Sequence, residues 1–423
     1  MKVIFKKCII VLVFIILNFH SFSAWILLPM DDAQKNHLKA YGITYWILAK
    51  GLECEWLLNY RGGSFVLPFD PNFEKECKIR GITYEVLAEA QHTKIISDIA
   101  NPEVNMETVK LQKAPKIAVY SPKTKQPWDD AVTLVLNYAE IPFEVIYDDD
   151  VLQNKLLLYD WLHLHHEDFT GQQGKFYYSQ HTMKWYQEEN RENEEIAGRW
   201  GFTKVSQLKL AVAKKIRDYV LGGGYLFAMC SAPDTYDIAL AADGTDICTK
   251  EFDGDPMDPQ AQQKLNFDNC FAFKDFHLIT QPYIYEFSDI DATEDINRIT
   301  ENKDYFTLFQ FSAKWDVIPS ILCQDHTQVI KGFMGQTTAF RKKFVKTSDL
   351  VLGENNAMGY VKYIHGEIGK GMWTFLGGHD PEDYQHLVYD PPTDLSLFPN
   401  SPGYRLILNN VLFPSANKKK RKT

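Results

Sequence analysis

A cysteine stands at the end of the run Gly222-Gly223-Gly224-Tyr225-Leu226-Phe227-Ala228-Met229-Cys230-Ser231-Ala232. The run reads as a short buried strand that stops at Cys230 and turns into a helix from about Thr235. A nucleophile on such a turn needs small neighbours, because the turn is tight and strained. Ala228 and Ala232 supply them. Far downstream, Trp373-Thr374-Phe375-Leu376-Gly377-Gly378-His379-Asp380-Pro381-Glu382 reads as a final strand delivering a histidine with carboxylates beside it. Cysteine, histidine and carboxylate on separate strand ends make an acyl-transfer site. In that chemistry Cys230 attacks an amide or ester carbonyl, His379 shuttles the proton and Glu382 orients the imidazole. Backbone amides at Ser231 and after the third strand stabilise the oxyanion. The competing reading is that Cys230 is a core residue, since free cysteines are among the most buried types.

The run His163-Leu164-His165-His166-Glu167-Asp168 is the richest polar cluster. On a strand His163 and His165 share a face and His166 points away. The two same-face histidines, with Glu167 or Asp168 and His379, form a candidate zinc site. The H-E-x-x-H pattern of a helical metalloprotease is missing. His165, His166, Glu167, Asp168, Ser231 and Asp380 are the expected pocket residues. A third reading is non-catalytic, with a carbohydrate, another small molecule or a partner bound on Trp161, Phe169, Phe176, Tyr177, Tyr178 and Trp185. No cofactor is required by the first or the third reading.

From Ala114 strands and helices alternate, which positions these residues. Lys116 to Tyr120, Phe143 to Tyr147, Leu156 to Leu164 and the run to Cys230 read as strands. Trp128 to Ala139 reads as a helix opening on Asp129 and Asp130, and Ser206 caps another that Gly222 stops. Alternation of this kind predicts an α/β fold with a mostly parallel sheet and helices on both faces. Ligands then bind at the carboxyl ends of the strands. Residues 25–113 read as a small N-terminal α/β unit, 114–416 as the main domain and about 245–345 as an irregular insertion within it. Two acidic stretches of that insertion, Asp253 to Asp258 and Glu286 to Asp291, lack the spacing of a calcium-binding EF-hand.

The chain has 423 residues and a net charge of -10, which argues against nucleic acid as a partner. Lys2, Lys6 and Lys7 precede an apolar run from Cys8 to Leu17, and Ser21 and Ser23 precede a cut at Ala24 or Trp25. This pattern predicts a signal peptide over 1–24, an exported periplasmic or extracellular protein, and no transmembrane segment. Export permits disulfides among the remaining cysteines. Residues 417–423 form a basic tail.

Residues 114–244 and 359–416 resemble the class I glutamine amidotransferase-like superfamily, and within it the ThuA-like branch. That branch is similar in its G-K-G turn, strand, Gly-His and closing helix, matched here by Gly369-Lys370-Gly371, Gly378-His379 and Ser401 to Phe413. The resemblance implies a flavodoxin-like sheet, with Cys230, His379 and Glu382 at the positions of the superfamily's catalytic residues. Two departures stand out. Ala228 and Ala232 replace the glycines of the superfamily's G-x-C-x-G turn, and Glu382 lies three residues after the histidine instead of two. Asp380 or Asp383 is an alternative carboxylate. The whole chain also resembles secreted proteins often labelled "asparagine synthetase B". The cysteine that would begin such a mature synthetase is absent, and so is a Ser-Gly-Gly-x-Asp nucleotide loop.

Overall fold

The computed structural model describes residues 24–417 except Lys125 and His386. The expected signal segment, apart from Ala24, and the basic tail after Asn417 lie outside the described residues.

The chain builds two sheets. The first is antiparallel and contains β1 (Ala24–Leu28), β2 (Cys54–Leu58), β3 (Ser64–Pro68), β4 (Glu85–Ala88) and β5 (Glu107–Leu111), ordered β4-β1-β3-β2-β5. Helices α1 (His37–Ala49), α2 (Pro71–Arg80) and α3 (Glu89–Ala100) connect these strands.

The second sheet is mixed. It starts with β6 (Ile117–Tyr120), α4 (Ala131–Ala139), β7 (Glu144–Ile146) and β8 (Trp161–Leu164). Helices α5 (Lys184–Arg199) and α6 (Val205–Leu221) lead to β9 (Tyr225–Met229), and α7 (Ala232–Ala241) follows it. Strands β10 (Tyr305–Leu308), β11 (Val329–Lys331), β12 (Phe340–Arg341), β13 (Leu350–Asn355), β14 (Tyr360–Ile368) and β15 (Gly371–Leu376) complete the sheet, and α8 (Pro402–Leu412) closes the chain. The order is β11-β10-β13-β14-β15-β9-β8-β6-β7, with β12 on β14. From β15 to β7 all neighbours run parallel, and from β14 outward they run antiparallel.

Every residue of β9 is buried, as a strand covered on both faces requires. Alternate side chains divide between two cores. Ile117, Val119, Phe227 and Met229 pack with α1, α4 and α8, whereas Ala118, Tyr120, Leu226 and Ala228 pack with α6 and α7. Helices therefore cover both faces of the parallel part.

Several boundaries differ from the sequence reading. Ser206 lies inside α6, whose N-cap is Lys204, and α7 begins at Ala232, with a proline in its first turn, instead of near Thr235. The third parallel strand is only Trp161–Leu164, because Asn154 takes a left-handed φ and turns Lys155–Leu158 into a 3-10 helix with Leu157 and Leu158 exposed. The first helix of the main domain begins at Ala131, because the Asp130 carboxylate accepts the Thr133 N–H at 2.8 Å as its cap. Trp128 and Asp129 stay in the preceding loop. Residues 245–345 are not wholly irregular. Their short strands β10, β11 and β12 extend the sheet, but runs of two to four residues are too brief to show alternation. In the first acidic stretch Asp253 and Asp255 pair with Lys204, as does Asp246.

Candidate active site

Cys230 sits at the carboxyl end of β9 with φ 55, a left-handed value that few non-glycine residues adopt. The strain is held from both sides. Its N–H donates to the Gly378 carbonyl at 3.0 Å, and the Ala232 N–H donates to the His165 carbonyl at 3.0 Å. The turn therefore joins the ends of β8, β9 and β15, and it draws together residues far apart in sequence.

Ring nitrogens of His165 and His379 and the Cys230 sulfur all lie within 4.8 Å of one another. The two imidazoles are 4.4 Å apart between ring centres. Behind His165 stands Asp130, whose Oδ2 lies 3.3 Å from His165 Nδ1 and 3.2 Å from His163 Nε2. His165 Nε2 makes no hydrogen bond, although the residue is fully buried. Asp129 lies behind His379, with its Oδ1 4.0 Å from Nε2. Burial alone would raise the Asp130 carboxyl, but the facing charges of His163 and His165 hold it well below the usual carboxylate range. Burial lowers His163 in spite of Asp130.

A segment from beyond β11, residues 332–338, covers the thiol. The Gln336 N–H donates to Cys230 Sγ at 3.3 Å, and the N–H groups of Ser231 and Thr337 also face the sulfur. Gly335 packs so tightly that an added Cβ would come within 2.8 Å of the His379 backbone nitrogen. Lys362 of β14 fastens this segment, donating from Nζ to the Phe333 and Thr338 carbonyls. Burial pushes the Cys230 thiol up to about 12, against the pull of those three N–H groups. Burial also lowers Lys362 to about 7 and raises Asp291 to about 7. Asp234, raised by burial and by the charge of Asp291, accepts a 2.8 Å hydrogen bond from the Thr337 hydroxyl.

The other expected site residues are placed as follows. Ser231 is buried beside the thiol. His166 accepts a hydrogen bond from Trp128 Nε1 and lies 6.0 Å from the His379 ring. Glu167 accepts the His165 N–H at 3.0 Å, and burial raises its carboxyl to about 8. Asp168 turns into its own loop, accepting from the N–H groups of Thr170 and Gly174. Asp380 is buried and accepts the Glu382 N–H at 2.9 Å. Glu382 is bonded to the Ser401 side chain, and the carboxylates beside the two imidazoles are instead Asp129 and Asp130. Of the expected aromatic face, Trp161 and Phe169 are core residues, and only Tyr178 is well exposed.

Sequence reasoning missed Asp129 and Asp130 as site residues, along with Gln336, Thr337, Asp234 and Lys362. The aspartates carried a signal, since two consecutive carboxylates exceed what one helix cap needs. The others had none. All six described cysteines, Cys54, Cys77, Cys230, Cys248, Cys270 and Cys323, are free thiols. No helix among the described residues is long and apolar enough to cross a membrane.

No family model matches the chain, and no curated protein matches it. Among solved structures it is similar to a cytoplasmic protein of Salmonella typhimurium at 10% identity and TM-score 0.34, covering 72% of this chain and 100% of that one. A second cytoplasmic protein, from Salmonella typhimurium LT2, gives 11% identity and TM-score 0.35, covering 71% and 99%. A GH42 beta-galactosidase gives 11% identity and TM-score 0.27, covering 63% of this chain and 28% of that one.

Proposed function

We propose that the chain is an exported hydrolase of amides or esters, built on an amidotransferase-like, flavodoxin-like core with Cys230 as nucleophile. The observation that carries this reading is a strained cysteine at a strand-to-helix turn with two imidazoles within 4.8 Å. The parallel order β7-β6-β8-β9-β15 is second-first-third-fourth-fifth along the chain, which supports the flavodoxin-like part.

The buried thiol is protonated at rest, so the chemistry is general-base catalysis and does not start from a standing thiolate. The sulfur attacks the carbonyl carbon while an imidazole takes the thiol proton. Asp130 holds His165 by Nδ1 and leaves Nε2 for that proton. The same proton then goes to the leaving amine or alcohol as the carbon–heteroatom bond breaks, and water hydrolyses the resulting thioester. The N–H groups that face the sulfur at rest are at hand to stabilise the oxyanion.

The test is the rate of Cys230 alkylation by iodoacetamide across pH, read by peptide mass spectrometry, together with a screen of p-nitrophenyl esters and p-nitroanilides. The reading expects hydrolysis that vanishes in Cys230→Ala and alkylation that slows in His165→Ala and His379→Ala. Hydrolysis that survives Cys230→Ala would sink it.

A second reading, a metal-dependent hydrolase, is favoured by one observation: a ring nitrogen of buried His165, the Cys230 sulfur and a ring nitrogen of His379 lie within 4.8 Å of one another. Zinc bound by His165, Cys230 and His379 would leave a fourth position for water. Cobalt substitution tests it, because a thiolate-to-cobalt absorption band lost in Cys230→Ser is required. A metal-free protein with full activity would exclude it.

A further inference from the structure

Next to the cysteine site lies a narrow cavity that the chemistry above does not use. Its walls include Trp128, Phe176, Trp185 and His166. Trp128 and Phe176 stack with ring centres 5.4 Å apart, and Trp185 meets Trp128 edge-on at 5.0 Å. Glu167, Asp168 and Glu189 line the same cavity. Its lysine, Lys209, donates from Nζ to buried Asp148 at 2.8 Å and to the hydroxyls of Tyr147 and Tyr120, so its three hydrogens are taken. Nearby Lys175 turns its Nζ to the carbonyls of Ile279 and Gln281. The wall therefore holds more carboxyl groups than lysine hydrogens free to meet them.

One carboxylate oxygen is available. Glu167 is 7% exposed, its Oε2 accepts the His165 N–H, and its Oε1 makes no hydrogen bond. A buried oxygen without a partner is costly, and a bound donor would remove that cost. Burial also holds the Glu189 carboxyl up at about 7, with Lys209 opposing and Asp168 and Glu192 adding to the rise. A cation in the cavity would stabilise the ionised form of this group as well.

We infer that this cavity is a binding site for a small organic cation, an alkylammonium head received between the aromatic walls and the carboxylates of Glu167 and Glu189. Aromatic faces attract cations through the ring quadrupole, and a desolvated ammonium gains most. A neutral sugar would also stack on these rings, but it would bring no counter-charge to carboxyls that burial holds back from ionising. The site does not depend on the hydrolase reading, since no step of it uses Cys230. Its position beside His166 would nonetheless put the cationic end of a substrate next to the reacting thiol.

Calorimetry and thermal shift with n-butylammonium, 1-butanol and glucose test this on the full chain and on Cys230→Ala. The expected result is binding of n-butylammonium by both proteins, at least about tenfold tighter than 1-butanol, the factor that 1.4 kcal/mol represents. Glu189→Gln and Trp128→Leu are each expected to weaken it by about tenfold. Glu189→Gln keeps the side chain's shape at a half-buried position, and unchanged near-ultraviolet circular dichroism verifies its fold. Equal binding of 1-butanol, preference for glucose, or no binding of n-butylammonium by the wild-type chain would each overturn the proposal. Binding retained in Cys230→Ala while hydrolysis is absent from every variant would retire the hydrolase and leave this site standing.

Discussion

Among the described residues two histidine clusters can be set side by side, and what matters is whether the ring nitrogens are taken. At the junction of the N-terminal sheet with α8, His37 stacks on His326 at 4.4 Å. Both His37 nitrogens are engaged, Nδ1 with Asn400 Oδ1 at 3.0 Å and Nε2 with the Met30 carbonyl at 2.9 Å. Arg405 completes the cluster, donating to the carbonyls of Met30 and Gly62 and contacting His326 Nδ1. Burial, with the charges of Arg405 and His326, pushes His37 down to about 3, so it is neutral throughout the physiological range. His165 is as deeply buried, yet its Nε2 makes no hydrogen bond, its Nδ1 faces the Asp130 carboxylate, and the Cys230 thiol lies close by. A saturated imidazole is a structural part, and an imidazole with one open nitrogen can still move a proton.

The difference can be broken at either end. The largest effect is expected at the cysteine. His165→Ala and Asp130→Asn should each slow Cys230 alkylation by about 10²–10⁴-fold, the range for removing a general base. His37→Ala should leave that rate unchanged. Arg405→Ala attacks the other cluster, stripping a buried cation from Asp325 and from two carbonyls. Urea denaturation should show a loss of about 3–5 kcal/mol, with alkylation of the surviving folded protein unaltered.

A smaller effect concerns pH. The Asp291 carboxyl is raised from its ordinary 3.8 to about 7. Between those values the folded chain holds a proton that the unfolded chain has released, so this group's contribution to stability falls as pH rises through that window. Asp291→Asn should therefore be more favourable relative to wild type at pH 8 than at pH 4, as denaturation midpoints at the two values would show. Glu382→Gln sharpens the comparison from the other side. Its side chain sits with Ser401, so Cys230 alkylation should not change; a clear slowing would restore Glu382 to the role its position in the chain suggested.

What was legible followed chain-local patterns. Cys230 announces itself by its small neighbours and its strand. The histidines of 163–166 announce themselves by density, and His379 by its glycines. Alternating strands and helices gave away the α/β character of 114–244. Partners supplied by tertiary packing stayed hidden. Asp130 reads as an ordinary helix cap until β8 is set beside it in the parallel sheet. Gln336 and Thr337 sit in a loop without periodicity, and only the fold carries them 106 residues back to the thiol. Leu156 to Leu158 failed for the opposite reason, since an apolar run looks like a strand even where the backbone turns and leaves it in water.

Asp130 does two jobs with one carboxylate: Oδ1 closes the first turn of α4, and Oδ2 holds two histidines. That double duty constrains how the lineage can drift. Most replacements would damage helix and chemistry together and be lost with the fold. Asn, Ser or Thr would keep the cap without the charge. If the hydrolysis proposed above holds, a descendant that has abandoned it while keeping the architecture is expected to carry one of those three residues at this position. On that proposal, position 130 becomes a marker by which silent copies of this protein would be told from working ones.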